Sequence, residues 1–208
     1  MSVENWNWPS KKVLITGNSG TGKTTLLEKL VRKEKARWKF VYDHKHGEFS
    51  KRFGVQPCYS PEELCDQAGK GGWVVFDPIK CYPGKPEQGF AFFCDFCFCL
   101  SEQFKGRKLF VCDELQKLLD NYNEPDELLT VLDTGRVYQI DCFMITNATN
   151  GIHNRVKNQI TEVYAFTQGS KNSAEWLIEK GFDGEAVLQL PKFKYHWRNL
   201  DTGESSIG

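Results

Sequence analysis

Residues Gly17-Asn18-Ser19-Gly20-Thr21-Gly22-Lys23-Thr24 satisfy every fixed position of the phosphate-binding P-loop, G-x-x-x-x-G-K-[ST]. No other stretch restricts the fold as tightly. Ahead of it Val13-Leu14-Ile15 reads as a buried strand, and behind it Leu26, Leu27, Leu30 and Val31 recur at helical spacing. Strand, glycine-rich turn and helix are the context such a loop requires. Gly17, Gly20 and Gly22 let successive N–H groups turn toward phosphate oxygens, and the helix N-terminus adds partial positive charge. On this reading residues Gly17 to Thr25 cradle a nucleotide, Lys23 reaches its terminal phosphates, and the Thr24 hydroxyl faces a bridging Mg²⁺.

Composition narrows what such a loop can serve. A chain of 208 residues suits one well-cored α/β domain. With 27 basic and 27 acidic residues the formal charge is zero, so contact with nucleic acid must come from a local patch or from several subunits presenting one loop. The start, Met1 to Pro9, carries Trp6 and Trp8 without a signal-peptide core, and no later run reaches membrane-spanning length. The expectation is a protein not itself transmembrane, kept in a reducing compartment. Its eight cysteines sit in apolar runs, Cys112 and Cys142 among them, and do not have the spacing of a secreted disulfide scaffold. On a helix over residues 90–104, Cys94 and Cys97 share a face while Cys99 points away, so the three read as packing thiols among phenylalanines rather than as ligands.

The remaining segments alternate between strand and helix. Trp38 to Tyr42 reads as a second strand ending in Asp43-His44-Lys45-His46-Gly47-Glu48-Phe49, a polar cluster where an open parallel sheet binds its ligands. Ser60-Pro61-Glu62-Glu63 marks a helix start, and Trp73 to Phe76 a third strand. Residues 77–88 read as a loop. Leu109-Phe110-Val111-Cys112 then delivers Asp113 and Glu114 together. We assign Asp113 to the metal and Glu114 to the attacking water. The following helix is interrupted at Asn121 to Pro125 and ends at Gly135-Arg136. A strand through Cys142 to Thr146 stops at Asn147, whose amide either touches the γ-phosphate or the water, or only forms the turn before Asn150-Gly151. Residues 161–167 predict another strand, and residues 173–180 a helix closed by Gly181. A hairpin is expected from Ala186 to Leu190 and Phe193 to Arg198. In its second arm Lys192, Lys194, His196 and Arg198 alternate with Phe193, Tyr195 and Trp197. That pattern fits a solvated basic edge, or one facing DNA or a neighbouring subunit.

The order of these pieces resembles the FtsK/HerA superfamily of P-loop motors, and within it the genome-packaging ATPases of tailless, membrane-containing icosahedral double-stranded DNA viruses of the tectivirus and turreted type. Residues 13–166 carry the resemblance through the loop at 17–24, Asp43 to Phe49, Phe110 to Leu115, and Ile145-Thr146-Asn147. Two positions depart from the superfamily pattern: Asn147 stands where its sensor strand usually ends in glutamine, and the proline of the Asp43 motif is absent. The resemblance implies an α/β, RecA-like P-loop NTPase with a central, mostly parallel sheet flanked by helices and a C-terminal β-hairpin. It would form one domain over residues 1–208, with its core at about 10–168 and the appended helix and hairpin at about 170–200. It also implies Mg²⁺-dependent ATP hydrolysis, a homo-oligomeric ring of six or five subunits around double-stranded DNA, and docking to capsid-vertex or membrane-associated virion proteins. The setting would be the virion packaging vertex and the host cytoplasm. Arg136 best matches the arginine finger that reaches a neighbour's site, with Arg155 second. The small chain, without membrane, linker or winged-helix segments, favours the viral branch over a cellular translocase. A nucleotide kinase would need an arginine-rich lid that the sequence does not show, and a non-hydrolysing, nucleotide-gated phage assembly protein has less use for Glu114.

Overall fold

Five-residue apolar runs set the centre of the molecule, which is described by a computed structural model over residues 9–45, 47–119 and 126–208. The Trp6 and Trp8 segment, His46 of the polar cluster and the expected break at 121–125 lie outside the described residues. Six strands run parallel: β1 (Lys12–Thr16), β2 (Trp38–Tyr42), β3 (Gly72–Phe76), β4 (Lys108–Cys112), β5 (Ile140–Thr146) and β6 (Glu162–Ala165). Two more, β7 (His196–Asn199) and β8 (Ser205–Ile207), follow antiparallel, giving the order β3-β2-β4-β5-β1-β6-β7-β8. The central strands are apolar without alternation because both faces of the sheet are covered. Leu14, Phe40, Phe110 and Met144 enter one core layer, while Val13, Ile15, Val41, Val111 and Ile145 enter the other.

Helices α1 (Lys23–Lys33) and α2 (Glu48–Phe53) cover the second layer through Leu26, Leu27, Val31, Phe49 and Phe53. The first layer is covered by α3 (Pro61–Lys70), α4 (Pro86–Gln103), α5 (Leu115–Leu118), α6 (Asp126–Tyr138), α7 (Asn154–Lys157), α8 (Lys171–Glu179) and α9 (Gly184–Gln189). Ser60 caps α3 as expected, accepting from the Glu63 N–H, with Pro61 in the first turn. Cys94 and Cys97 are buried and Cys99 is exposed, as the helical spacing requires.

Several boundaries differ from the sequence reading. Helix α4 starts at Pro86 rather than Phe90, since proline is well tolerated where no N–H donor is needed. Helix α6 continues through Gly135 to Tyr138. That glycine is a packing site: a Cβ there would stand 2.9 Å from the Ile140 carbonyl oxygen. Strand β6 is shorter than 161–167.

The largest correction concerns the hairpin. Residues 184–189 are helical, because Asp183 accepts from the N–H groups of Glu185 and Ala186 and Val187 is buried on one side. The hairpin consists instead of β7 and β8, turned by Asn199, whose side chain accepts from the Asp201 and Thr202 N–H groups, and by Gly203 at φ 77°. β7 is therefore an interior strand. Its Tyr195–Trp197 side packs on Tyr164, while His196 meets Phe182 edge-on at 5.1 Å and Arg198 lies against Gly181, so the supposed basic face covers the end of α8.

Candidate active site

The strand order puts the carboxyl ends of β2, β4, β5 and β1 in a row, with β5 between the strand that bears the loop and the strand that bears the acids. At a spacing of about 4.8 Å per strand, the ends of β1 and β4 stand about 10 Å apart. A cleft of about 260 Å³ opens there, lined by Ser19, Gly20, Gly22, Lys23, Thr24 and Thr25 on one side and by Lys45, Arg52, Asp113, Glu114, Asn147 and Phe193 around the rest. The loop and both acids thus reach one space.

The loop has the conformation that its glycines permit. Gly17, at φ 141°, passes so close to Phe166 that a Cβ would lie 2.7 Å from the Phe166 Cβ. Gly22, at φ 105°, precedes α1 and provides no side-chain cap, which leaves the helix N-terminus to bind something else. Asn18 N–H donates to the Thr167 carbonyl, and Thr21 Oγ1 to the Asn18 carbonyl. Lys23 is 7% exposed, and its Nζ donates to the carbonyls of Gly17 (2.6 Å) and Asn18 (2.7 Å). Burial lowers its pKa to about 8; Lys45 acts in the same direction, and Asp113 and Glu114 oppose it. This ammonium folds back on its own loop, where a bound anion would give it a better counter-charge.

On the acidic side, Asp113 is 2% exposed and accepts from the Glu114 N–H at 2.6 Å. Glu114 sits in the left-handed region, φ 49° and ψ 45°, which costs a non-glycine residue about 1–3 kcal/mol and is concentrated at functional turns. Lys45 Nζ lies 2.8 Å from Asp113 Oδ2 and 3.4 Å from Glu114 Oε1, while Lys117 Nζ lies 2.7 Å from Glu114 Oε2. Burial alone would raise the Glu114 carboxyl, but the Lys117 hydrogen bond and the Lys45 charge outweigh it and hold the pKa below the ordinary carboxylate value. Glu114 is therefore a carboxylate at neutral pH, the form a base requires.

Neighbouring groups fix these side chains. Asp43 Oδ2 accepts from Ser50 N–H and Oγ at the start of α2, which makes it a clamp on the segment carrying Lys45 rather than a group in the cleft. His44 stacks on Tyr42; its Nε2 stands 3.6 Å from Glu114 Oε2, and neither ring nitrogen has a hydrogen-bond partner among the described residues. Asn147 reaches the cleft from β5, its N–H held by Gln116 Oε1, which also accepts from Thr146 Oγ1. Two cleft residues escaped the sequence reading. Arg52 faces in from α2 while paired with Glu48 and Glu28, and its i,i+4 spacing from Glu48 was the available signal. Phe193 was visible only as part of the expected alternation.

The two arginines lie elsewhere. Arg136 is exposed on the last turn of α6, close enough to Lys12 at the amino end of β1 to add slightly to the lowering of its pKa that burial causes, at the opposite edge of the sheet from the cleft. Arg155 is 3.9 Å from Asp126 on the surface. Neither lines the cleft of its own chain.

No protein-family model and no curated protein matches the chain. Solved structures do. The genome packaging NTPase B204 from Sulfolobus turreted icosahedral virus 2, in complex with AMPPCP, superposes with a TM-score of 0.76 at 15% identity, over 96% of this chain and 97% of that one. The DNA-packaging ATPase B204 from Sulfolobus Turreted Icosahedral Virus gives 0.74 at 16% identity, over 96% and 97%. VirB4 of Thermoanaerobacter pseudethanolicus gives 0.65 at 11% identity, over 99% and 91%. The likeness is one of fold: a mostly parallel sheet flanked by helices, as in these P-loop NTPases.

Proposed function

We propose that the chain is an ATP-hydrolysing motor that drives double-stranded DNA into a preformed viral capsid, with residues 1–208 acting as one ATPase unit. The convergence of Lys23, Asp113, Glu114 and Asn147 on one cleft carries this reading, and the nearly end-to-end fold likeness to B204 supports the packaging role. In the cycle, Lys23 leaves its loop carbonyls for the β- and γ-phosphates, and the N–H groups at the start of α1 hold the remaining oxygens. Glu114 orients a water and takes its proton as the water attacks the γ-phosphorus and ADP leaves. The Asn147 amide steadies that water or the γ-phosphate.

Thr24 and Asp113 suit Mg²⁺, which uses one or two protein ligands and takes the rest of its shell from phosphate and water oxygens. Asp113 already faces a positive charge in Lys45 at 2.8 Å, and no group of three or more ligating side chains forms a protein-only cage among the described residues. When bound, the ion neutralises charge on the transferring phosphoryl group. Arg136 or Arg155 would complete a neighbour's site in a ring of six or five subunits, at the capsid vertex facing the host cytoplasm. Such a ring makes hydrolysis depend on assembly.

The test is steady-state ATP turnover with and without duplex DNA, beside the mass of the assembled particle. A motor is stimulated by DNA, a kinase ignores it, and a nucleotide-gated assembly protein barely turns over. Lys23→Ala should reduce turnover by about 10²–10³-fold, the scale of losing one preorganised charge donor. Mixing Arg136→Ala with Lys23→Ala subunits should restore part of the activity if the arginine acts in trans. Intact mixed rings without rescue would exclude Arg136.

A further inference from the structure

The phosphate loop, the acids and the expected metal account for one end of a nucleotide and leave its base without a partner. We infer that Phe193 is the platform on which that base stacks, an assignment that rests on the nucleotide-binding reading above. Phe193 is the aromatic residue among the described cleft-lining side chains, and the residue is 62% exposed. It also touches the loop, since its Cδ1 would be 3.1 Å from a Cβ at Gly22. An open ring face beside a phosphate site is what a base can cover.

The chain accepts a conformational penalty to hold the ring there. Pro191-Lys192-Phe193-Lys194 forms a turn closed by Lys194 N–H donating to the Pro191 carbonyl at 3.0 Å, with Phe193 third in the turn at φ 68°. Glycine or asparagine is usual at a position with this backbone. No core contact requires the strain, because the ring is not buried. Both flanks are anchored to the exit of β6: Thr167 Oγ1 donates to the Leu190 carbonyl at 2.6 Å, and the Tyr195 ring packs on Phe166, the residue against which Gly17 closes. Ring and loop are therefore held in fixed register before a ligand arrives. Lys192 Nζ, 5.1 Å from the ring centroid, adds a positive charge beside the same surface.

The experiment compares AMPPCP with inorganic tripolyphosphate, both with Mg²⁺, in calorimetric titrations of the full chain. Phe193→Ala should weaken AMPPCP binding about tenfold or more, the scale of one aromatic–base stack, and leave tripolyphosphate binding unchanged. Phe193→Trp should retain AMPPCP affinity and show fluorescence quenched by AMPPCP but not by tripolyphosphate. Phe193→Gly, which relieves the turn, should lose the same affinity without a lower unfolding temperature, which separates recognition from folding. Equal AMPPCP binding by wild type and Phe193→Ala would overturn the assignment while leaving the phosphate site standing. So would an equal loss for both ligands, or a loss accompanied by a change in assembled mass, which would make the ring a brace for the loop or a subunit contact. A wild-type protein that binds neither ligand would sink this inference together with the nucleotide-binding reading.

Discussion

The two ends of the central sheet both hold charged side chains, and they treat them differently. At the amino edge Arg107 bridges Asp141, which is fully buried, and Glu34; Glu34 also pairs with Lys11, and Asp141 accepts from the Lys11 N–H. Lys108, 1% exposed, donates to the carbonyls of Phe104 and Tyr138. Each of these side chains has a hydrogen-bond or ion-pair partner within the protein. At the carboxyl edge the accounts stay open. The buried side-chain atoms without a hydrogen bond among the described residues are Thr16 Oγ1, Asp43 Oδ1, both His44 nitrogens and Gln168 Oε1, all at or just beyond the carboxyl ends of β1, β2 and β6. The left-handed Glu114 and Phe193 line the same cleft. One edge closes its polar contacts within the protein, and the other holds the buried polar atoms that find no such partner among the described residues.

That contrast breaks if mutations at the two edges have the same kind of effect. The largest difference is expected for Glu114→Gln, which should lower turnover about 10²–10⁴-fold while nucleotide binding persists; normal turnover would remove Glu114 from its role. Arg107→Met should do the reverse. It leaves Asp141 buried without its main partner, at a cost of about 3 kcal/mol in chemical denaturation, with turnover per folded molecule unchanged. An activity loss without a stability loss would mean that the amino edge is not merely structural.

Glu114→Gly sharpens the comparison from the other side. Relief of the left-handed turn should stabilise the protein by about 1 kcal/mol, or about 2–4 °C in melting temperature, as catalysis is lost. An unchanged or lower melting temperature would show that no strain is stored there. The smallest effect is a pH slope. Burial, and to a lesser degree Arg37, lowers the Lys108 pKa from its ordinary 10.5 to about 8. Between those values the folded chain holds fewer protons at Lys108 than the unfolded chain, so this group makes stability rise as pH climbs from about 8 toward 10.5. Melting curves across that window should be flatter for Lys108→Met than for wild type, and parallel curves would contradict the assignment.

The finished and unfinished edges were not equally legible. The loop at 17–24 could be read because its residues are contiguous and its glycines have one shared purpose. Asp113 and Glu114 could be read because an apolar strand delivers them to the edge where an open parallel sheet binds its ligands. Arg52 and Phe193 could not: each enters the cleft from an element placed by long-range packing, α2 through Phe49 and Phe53, and the 191–194 turn through Tyr195 on Phe166. Alternation of basic and aromatic residues from 192 to 198 suggested one continuous strand arm, yet a tight turn occupies its first half. Gly135 read as a helix stop because sequence alone does not distinguish a glycine that ends a helix from one that lets a helix lie close to a neighbouring strand.

Lys45 gives the acid pair an internal counter-charge. Its ammonium offsets the repulsion between Asp113 and Glu114. If the acids hold a cation, as proposed, Lys45 would have to give up this place, and it lies two residues before Gly47, the left-handed residue that leads into α2. Since α2 also carries Arg52 into the cleft and packs on the sheet through Phe49 and Phe53, such an exchange would pull on a helix covering that layer of the sheet. Refuelling would then have a mechanical signature even before any bond is cut.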